Sequence, residues 1–212
     1  MNILKDEETQ NYIKATIPYD KFDNINNDII AFYMKFNQLK NLYRQGWLKV
    51  RMGLEHKEKC ESVADHSFSM ALLTLSIIQK YDLKYDLLKC LKMCIIHELG
   101  EIYVGDYTPF DNISKEQKHK EERQAVKKIL SELDFDNDFL DLWKEFEKRE
   151  TKEAKFIKNI DQLEFLLQAA AYEFDTSYFK RSLNALDNEY CIEIAKDLLD
   201  MTDGKNEPKI AD

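Results

Sequence analysis

Five glycines and three prolines in 212 residues leave little material for tight turns. A chain so poor in turn residues cannot be built from many hairpins; it favours long helices joined by few loops. The apolar residues agree, because they recur at helical spacing. Ile29, Ile30, Phe32, Tyr33, Phe36, Leu39, Leu42 and Tyr43 fit one face of a helix over 28–43. Met70, Leu73, Ile77 and Ile78 continue a second. Leu87, Leu88, Leu91, Cys94 and Ile95 are the expected inward face of a third, over 84–99. A highly charged helix follows over 115–133, then a short one over 138–147 carrying Leu140, Leu142, Trp143 and Phe146. A long one over 151–174 has Phe156, Ile157, Ile160, Leu163, Leu166 and Leu167 inward, and two more fall near 176–186 and 188–202. No stretch reads as a strand. The expected fold is all-α, about eight helices in a single domain over 27–203, with an irregular lead-in over 1–26 and a frayed tail over 204–212.

Several helix starts carry their own signals. Ser62 can cap a helix whose third residue, Asp65, returns the hydrogen bond, and Ser114 with Gln117 repeats the arrangement. Thr151 caps the long helix, and the Asp/Asn-rich run before Asp28 ends in a cap for the first.

Composition excludes some functions. The formal net charge is −9, so the chain lacks the clustered basic surface that a nucleic-acid polymer requires, whereas one local basic pocket suffices for a small anion. The longest apolar run, Met70 to Ile78, is far too short to span a membrane and is interrupted by Thr74 and Ser76. The N-terminus has no basic segment followed by an apolar core, so no secretory signal is expected. Cys60, Cys90, Cys94 and Cys191 form no disulfide framework; small buried core residues and a cytoplasmic location are the expectation.

The chemistry gathers in Ile95-Ile96-His97-Glu98-Leu99-Gly100-Glu101-Ile102-Tyr103-Val104-Gly105-Asp106. On a continuous helix His97 and Glu101 are i and i+4, and Glu98 and Glu101 are i and i+3, so an imidazole and two carboxylates share a patch beside an apolar run. That grouping suits a metal site or an acid/base site. Asp65-His66 lies in the first turns of the second helix. Asp161 interrupts the apolar face of the long helix, where a carboxylate needs a basic partner, an N–H cluster or a metal.

The arrangement resembles the HD-domain metal phosphohydrolases: a histidine, an adjacent His-Asp pair and a distant Asp, each on its own helix. His66, His97-Glu98 and Asp161 occur in that order. The resemblance covers about 29–175 and is closest to the 5′-deoxynucleotidase branch. It is carried by Arg44-Gln45-Gly46-Trp47, Glu61 through His66, His97 through Pro109, Lys118 through Glu122, and Asp161-Gln162-Leu163-Glu164. Glu98 stands where the family has the aspartate of its pair; glutamate remains an oxygen ligand on an arm one methylene longer. The connector between Trp47 and His66 is several residues longer than usual.

The resemblance implies that His66, His97, Glu98 and Asp161 hold one divalent ion. Two imidazoles and two carboxylates suit Mn, Co, Fe or Zn better than Ca, with Mg a further candidate. Glu101 would act as general acid/base. Asp106 would bind the sugar hydroxyl or orient water, Arg44 would hold the phosphate, and Trp47 would pack near the sugar or base. His119 belongs to a solvated face. The implied substrate is a small phosphorylated molecule, a deoxynucleoside 5′-monophosphate. The alternatives are another phosphate ester such as a cyclic nucleotide, or a catalytically weak nucleotide-binding protein. A homodimer is also implied.

Overall fold

The helices start where the sequence places their caps. In the computed structural model, which describes residues 12–14, 26–49, 53–108, 111–131, 133–135, 137–174 and 182–203, Ser62 and Asp65 exchange their bonds. The Ser62 amide donates to Asp65 Oδ2 at 2.8 Å and the Asp65 amide donates to Ser62 Oγ at 3.2 Å. Asn27 caps the first helix through Ile30 N, Ser114 caps through Gln117 N and Thr151 through Ala154 N. Gln117 does not complete its box; its side chain turns to Glu121.

Among the described residues there are eight α-helices of four residues or more: α1 Asp28–Phe36, α2 Val63–Lys80, α3 Leu87–Ile96, α4 Glu101–Val104, α5 Lys115–Leu130, α6 Phe139–Lys148, α7 Lys152–Ala171 and α8 Glu189–Asp203. A single turn, Gln45–Trp47, and two 3₁₀ turns, Asn37–Lys40 and Leu54–Lys59, complete them. No strand occurs among the described residues, only isolated bridges pairing Ile13 with Leu42 and Tyr43 with Ser62. Most of the expected lead-in with Pro18, most of the helix expected near 176–186, Pro109-Phe110 and the tail over 204–212 lie outside the described residues.

Two expectations about helices need correction. The helix expected over 28–43 stops at Phe36, passes through the 3₁₀ turn and then extends, because Tyr43 pairs with Ser62 and Lys14 N donates to Asn41 O. Ile29, Ile30 and Tyr33 are exposed and α1 buries no residue. The expected inward face of α3 is also rotated: Cys90, Met93, Cys94 and Ile96 are buried, whereas Leu88 and Ile95 are exposed.

The described residues gather into two compact units. One comprises residues up to 68 and 95–144, the other 69–94 and 145 onward. In the second unit α8 packs on α7. Buried Asn159 ties them: its Oδ1 accepts the amides of Asp187 (2.8 Å) and Asn188 (3.0 Å) just before α8 begins. A buried amide satisfied this fully stabilises the junction rather than penalising it. Tyr85 stacks on Phe156 with centroids 4.3 Å apart.

In the first unit α4 packs on α5. Gly100, just before α4, permits the approach. A Cβ built on it would lie 3.0 Å from Glu122 Cβ, 3.1 Å from Glu122 Cα and 3.2 Å from Glu122 O. Two of those atoms are backbone and cannot swing aside. Gly100→Ala is therefore expected to destabilise the fold by ~1–3 kcal/mol, the usual cost of overpacking. Denaturant unfolding checks it, and an unchanged midpoint would contradict the close packing.

Candidate metal centre

His66 follows directly from the Ser62 cap. Its amide donates to Ser62 O at 3.1 Å in the first turn of α2, and the side chain is fully buried. His97 comes from the other direction, at the end of α3. There the helix does not run on to Glu101. Trp143, on α6, donates its indole N–H to the His97 carbonyl at 3.1 Å. The Glu101 amide bonds instead to Glu98 O, and Leu99 N to Ile96 O, so the backbone tightens to i→i−3 spacing over 96–101 before α4 begins. The expected i, i+4 relation of His97 and Glu101 on one continuous helix is thus replaced by a tight turn.

That turn brings Glu98 alongside His97. Glu98 Oε1 lies 3.3 Å from His97 Nε2. The His66 and His97 rings meet edge-on with centroids 5.5 Å apart. Ligand atoms of His66, His97 and Glu98 all fall within 4.8 Å of one another. Two imidazoles and a carboxylate, two of the three side chains buried, form a donor set for a borderline divalent metal.

Arg44 sits beside this cluster. Its Nη1 is 3.5 Å from Glu98 Oε1 and 4.0 Å from Asp106 Oδ1, and its Nε is 3.9 Å from Glu61 Oε1. Asp106 reaches it because Gly105 adopts φ 81°, a left-handed conformation that favours glycine and turns the chain out of α4. Asp106 Oδ2 then accepts the Gln45 amide at 2.7 Å, capping the turn Gln45–Trp47. Gln45 is itself buried and bonds Tyr12 N through its Oε1 and Tyr43 O through its Nε2, so residues far apart in sequence fix the Arg44 backbone.

Glu101 is 1% exposed, and no hydrogen-bond partner among the described residues reaches its Oε2. Burial, then the neighbouring Glu98 and Asp106 carboxylates, hold its carboxyl well above the usual carboxylate range. Burial also pushes Asp106 up. Glu98 goes the other way: burial would raise it, but His97, Arg44 and Lys118 outweigh that and hold it well below.

Of the remaining sequence candidates, Trp47 is brought into this unit and is 2% exposed, its indole N–H donated to Glu61 Oε1 at 2.7 Å. Asp161 stands on α7 in the second unit, where Lys158 donates to its Oδ2 at 2.6 Å; of the partners expected for it, a basic one is present. His119 is exposed and stacks on Trp143 with centroids 5.5 Å apart. All four cysteines are free and buried, and burial raises each thiol to about 12, which suits core packing rather than metal or redox chemistry. Glu61, Gln45, Lys118 and Trp143 carry structural weight that the sequence reading did not assign. Lys118 pairs with Glu122 one turn on, whereas the partners of Glu61, Gln45 and Trp143 are distant in sequence.

Comparison with known proteins identifies the family. The HD-domain family profile matches residues 36–196. The chain belongs to the HD-domain family. It is 37% identical over 147 residues to a Mus musculus protein named 5′-deoxynucleotidase HDDC2, covering 68% of this chain and 70% of that one. A Schizosaccharomyces pombe protein named 5′-deoxynucleotidase hdd1 is 36% identical over 151 residues, covering 68% and 72%. Among solved structures, a conserved hypothetical protein from Pyrococcus furiosus superposes with a TM-score of 0.64 at 30% identity, covering 80% of this chain and 98% of that one. The resemblance read from the motifs is borne out, and so is the all-helical fold.

The HD family implies a divalent metal, and this chain's residues fit one. With Glu101 holding its proton, Glu61, Glu98, Asp106 and Glu122 still set four carboxylates against two cations, Arg44 and Lys118. A divalent ion at the His66–His97–Glu98 cluster would offset that surplus, which is costly in a buried site. The buried Glu101 Oε2, which no hydrogen-bond partner among the described residues reaches, also suits a place beside an ion site.

Proposed function

We propose that this chain is a metal-dependent 5′-deoxynucleotidase, hydrolysing deoxynucleoside 5′-monophosphates to the nucleoside and phosphate. The observation that carries the reading is the convergence of the His66, His97 and Glu98 donor atoms within 4.8 Å. Arg44 and the proton-holding Glu101 stand next to that cluster. The names of the relatives support the substrate class.

His66, His97 and Glu98 hold the ion, with Mn, Co, Fe or Zn favoured by the nitrogen and oxygen donors. The family resemblance assigns Asp161 as a further oxygen ligand, which the metal content of Asp161→Asn tests. When bound, the ion polarises a phosphoryl oxygen and makes water a better nucleophile at neutral pH. Arg44 stays charged among its carboxylates and presents a forked donor to the phosphate. Substrate phosphate replaces Glu98 and Asp106 as its partner. Asp106 keeps one oxygen on Gln45 N, which holds the Arg44 turn, and offers Oδ1 to a sugar hydroxyl. Glu101 delivers its proton to the leaving 5′-oxygen. Trp47 backs the sugar or base, consistent with a preference for a 2′-deoxy sugar.

Phosphate release from dAMP, dGMP, dCMP and TMP, beside AMP and a cyclic nucleotide, tests the substrate class. The expected result is release from the deoxy compounds, with AMP poor and the cyclic ester inert. Turnover confined to the cyclic ester would replace the monoesterase reading with a diesterase.

The quaternary and cellular readings rest on surface and thiols. Helix α2 leaves Phe68 and Leu72 exposed at i, i+4, and α3 leaves Leu88 and Ile95 exposed, which supports a homodimer. Sedimentation of the purified protein tests it, and a monomer at micromolar concentration would contradict it. Among the described residues no helix is long and apolar enough to cross a membrane. A cytoplasmic location, supported by four unpaired thiols, is tested by cell fractionation.

A further inference from the structure

Glu61 is buried, 9% exposed, in the extended segment that leads to the Ser62 cap. Its backbone is locked to that of Arg44: Arg44 N donates to Glu61 O at 3.1 Å, and Tyr43 bridges to Ser62. Its side chain reaches Trp47 of that turn and Arg44 just before it. Oε1 accepts the Trp47 indole N–H at 2.7 Å, and the same oxygen lies 3.9 Å from Arg44 Nε. A single carboxyl oxygen therefore anchors the indole by a hydrogen bond and lies in ion-pair range of the guanidinium.

We propose that Glu61 is the positioning residue that fixes the site's preference for deoxyribose over ribose, acting through Trp47 and Arg44. This inference rests on the reading above, in which Trp47 backs the sugar and Arg44 the phosphate. The physical argument is stiffness. A hydrogen bond to an ionised acceptor in a buried place is short and strong. An indole anchored by one cannot swing aside to admit an added hydroxyl. An indole without the anchor can, at the cost of a rotamer change. Steric exclusion discriminates only as well as its wall is held, so loss of the anchor relaxes selectivity before it harms the chemistry.

Glu61 has one competing role. One of its carboxylate oxygens lies within 4.8 Å of a His66 ring nitrogen, so it could serve the metal instead. The test separates the two. Wild type, Glu61→Gln, Glu61→Leu and Trp47→Phe are prepared as full-length protein, loaded with Mn, and assayed for bound metal and for kcat and KM on dAMP and AMP. The amide oxygen of Glu61→Gln still accepts from the indole, so that variant is expected to keep the dAMP-over-AMP ratio of kcat/KM within about threefold. Glu61→Leu is expected to lower that ratio about tenfold or more, within the range a pocket contact contributes, with KM for AMP falling and metal content unchanged. Trp47→Phe keeps the ring and lacks the N–H, so it is expected to lose selectivity in the same direction. It carries the test if Glu61→Leu does not fold.

An unchanged ratio in both Glu61→Leu and Trp47→Phe, beside a discriminating wild type, overturns this inference alone. Loss of bound metal in Glu61→Gln or Glu61→Leu overturns it in favour of a ligand role. No phosphate release from dAMP by the wild type overturns the earlier reading and this one with it.

Discussion

Glu101→Gln is expected to lower kcat on a deoxynucleoside monophosphate by ~10²–10⁴-fold, the usual contribution of a positioned acid or base. It should bind its metal ion as the wild type does. Glu101 is not among the three side chains whose donor atoms converge, so its replacement leaves that donor set whole. Its carboxyl is buried, and burial together with Glu98 and Asp106 keeps the proton on it well above the ordinary range. Glutamine preserves size and polarity and removes only the transferable proton. The substitution has a second, opposite consequence for stability. The folded-state pKa of Glu101 lies above the unfolded value of about 4.3. The folded protein therefore binds this proton more tightly than the unfolded chain does. Its contribution to stability is whole below the unfolded pKa and is lost as pH rises through the folded one. The metal-free Glu101→Gln protein escapes that loss. Its melting temperature should exceed that of metal-free wild type at pH 8 and approach it at pH 4.5. Parallel melts across that range would contradict the raised carboxyl, and undiminished kcat would remove Glu101 from the chemistry.

His97→Ala is expected to lose both the metal and the activity, with affinity falling by more than ~100-fold. Residues that merely orient metal ligands cost 10- to 100-fold when replaced, so a ligand costs more. The fold should survive. The bond that shapes this turn, Trp143 Nε1 to the His97 carbonyl, uses backbone and persists in alanine. Elemental analysis after dialysis, beside far-ultraviolet circular dichroism, separates metal loss from unfolding. A folded His97→Ala protein that keeps one equivalent of metal would remove His97 from the ligand set.

Much of the site was legible because its parts are short and local. Ser62 through His66 announces a capped helix start with a histidine in its first turns, and the structure has that. Arg44, His97-Glu98 and Asp106 fall together as expected. What the sequence did not disclose depends on partners far along the chain. The helix expected to end near 99 ends at Ile96, and the contact on the His97 carbonyl comes from an indole 46 residues later, which nothing local announces. The role of Gln45 depends on Tyr12, and that of Glu61 on Trp47 and Arg44. Helical period also could not orient α1 or α3. Each carries apolar residues around most of its circumference, so the pattern names a helix without naming the side that turns inward. Ile29 and Ile30 on α1 and Leu88 and Ile95 on α3 face outward for that reason.

The glutamate at position 98 has a structural consequence of its own. Its carboxylate oxygen lies between His97 Nε2 at 3.3 Å and Arg44 Nη1 at 3.5 Å. The Glu98 side chain thus touches both the His97 ring and the Arg44 guanidinium.

Turnover is expected to require a divalent ion held by the His66–His97–Glu98 cluster. Protein stripped with EDTA and dialysed is titrated with Mn or Co while bound metal and phosphate release from dAMP are followed together. The expected result is no release from the stripped protein, then activity rising in step with occupancy and levelling at one ion per chain. Release that persists undiminished in the stripped protein, or activity that ignores occupancy, would contradict it.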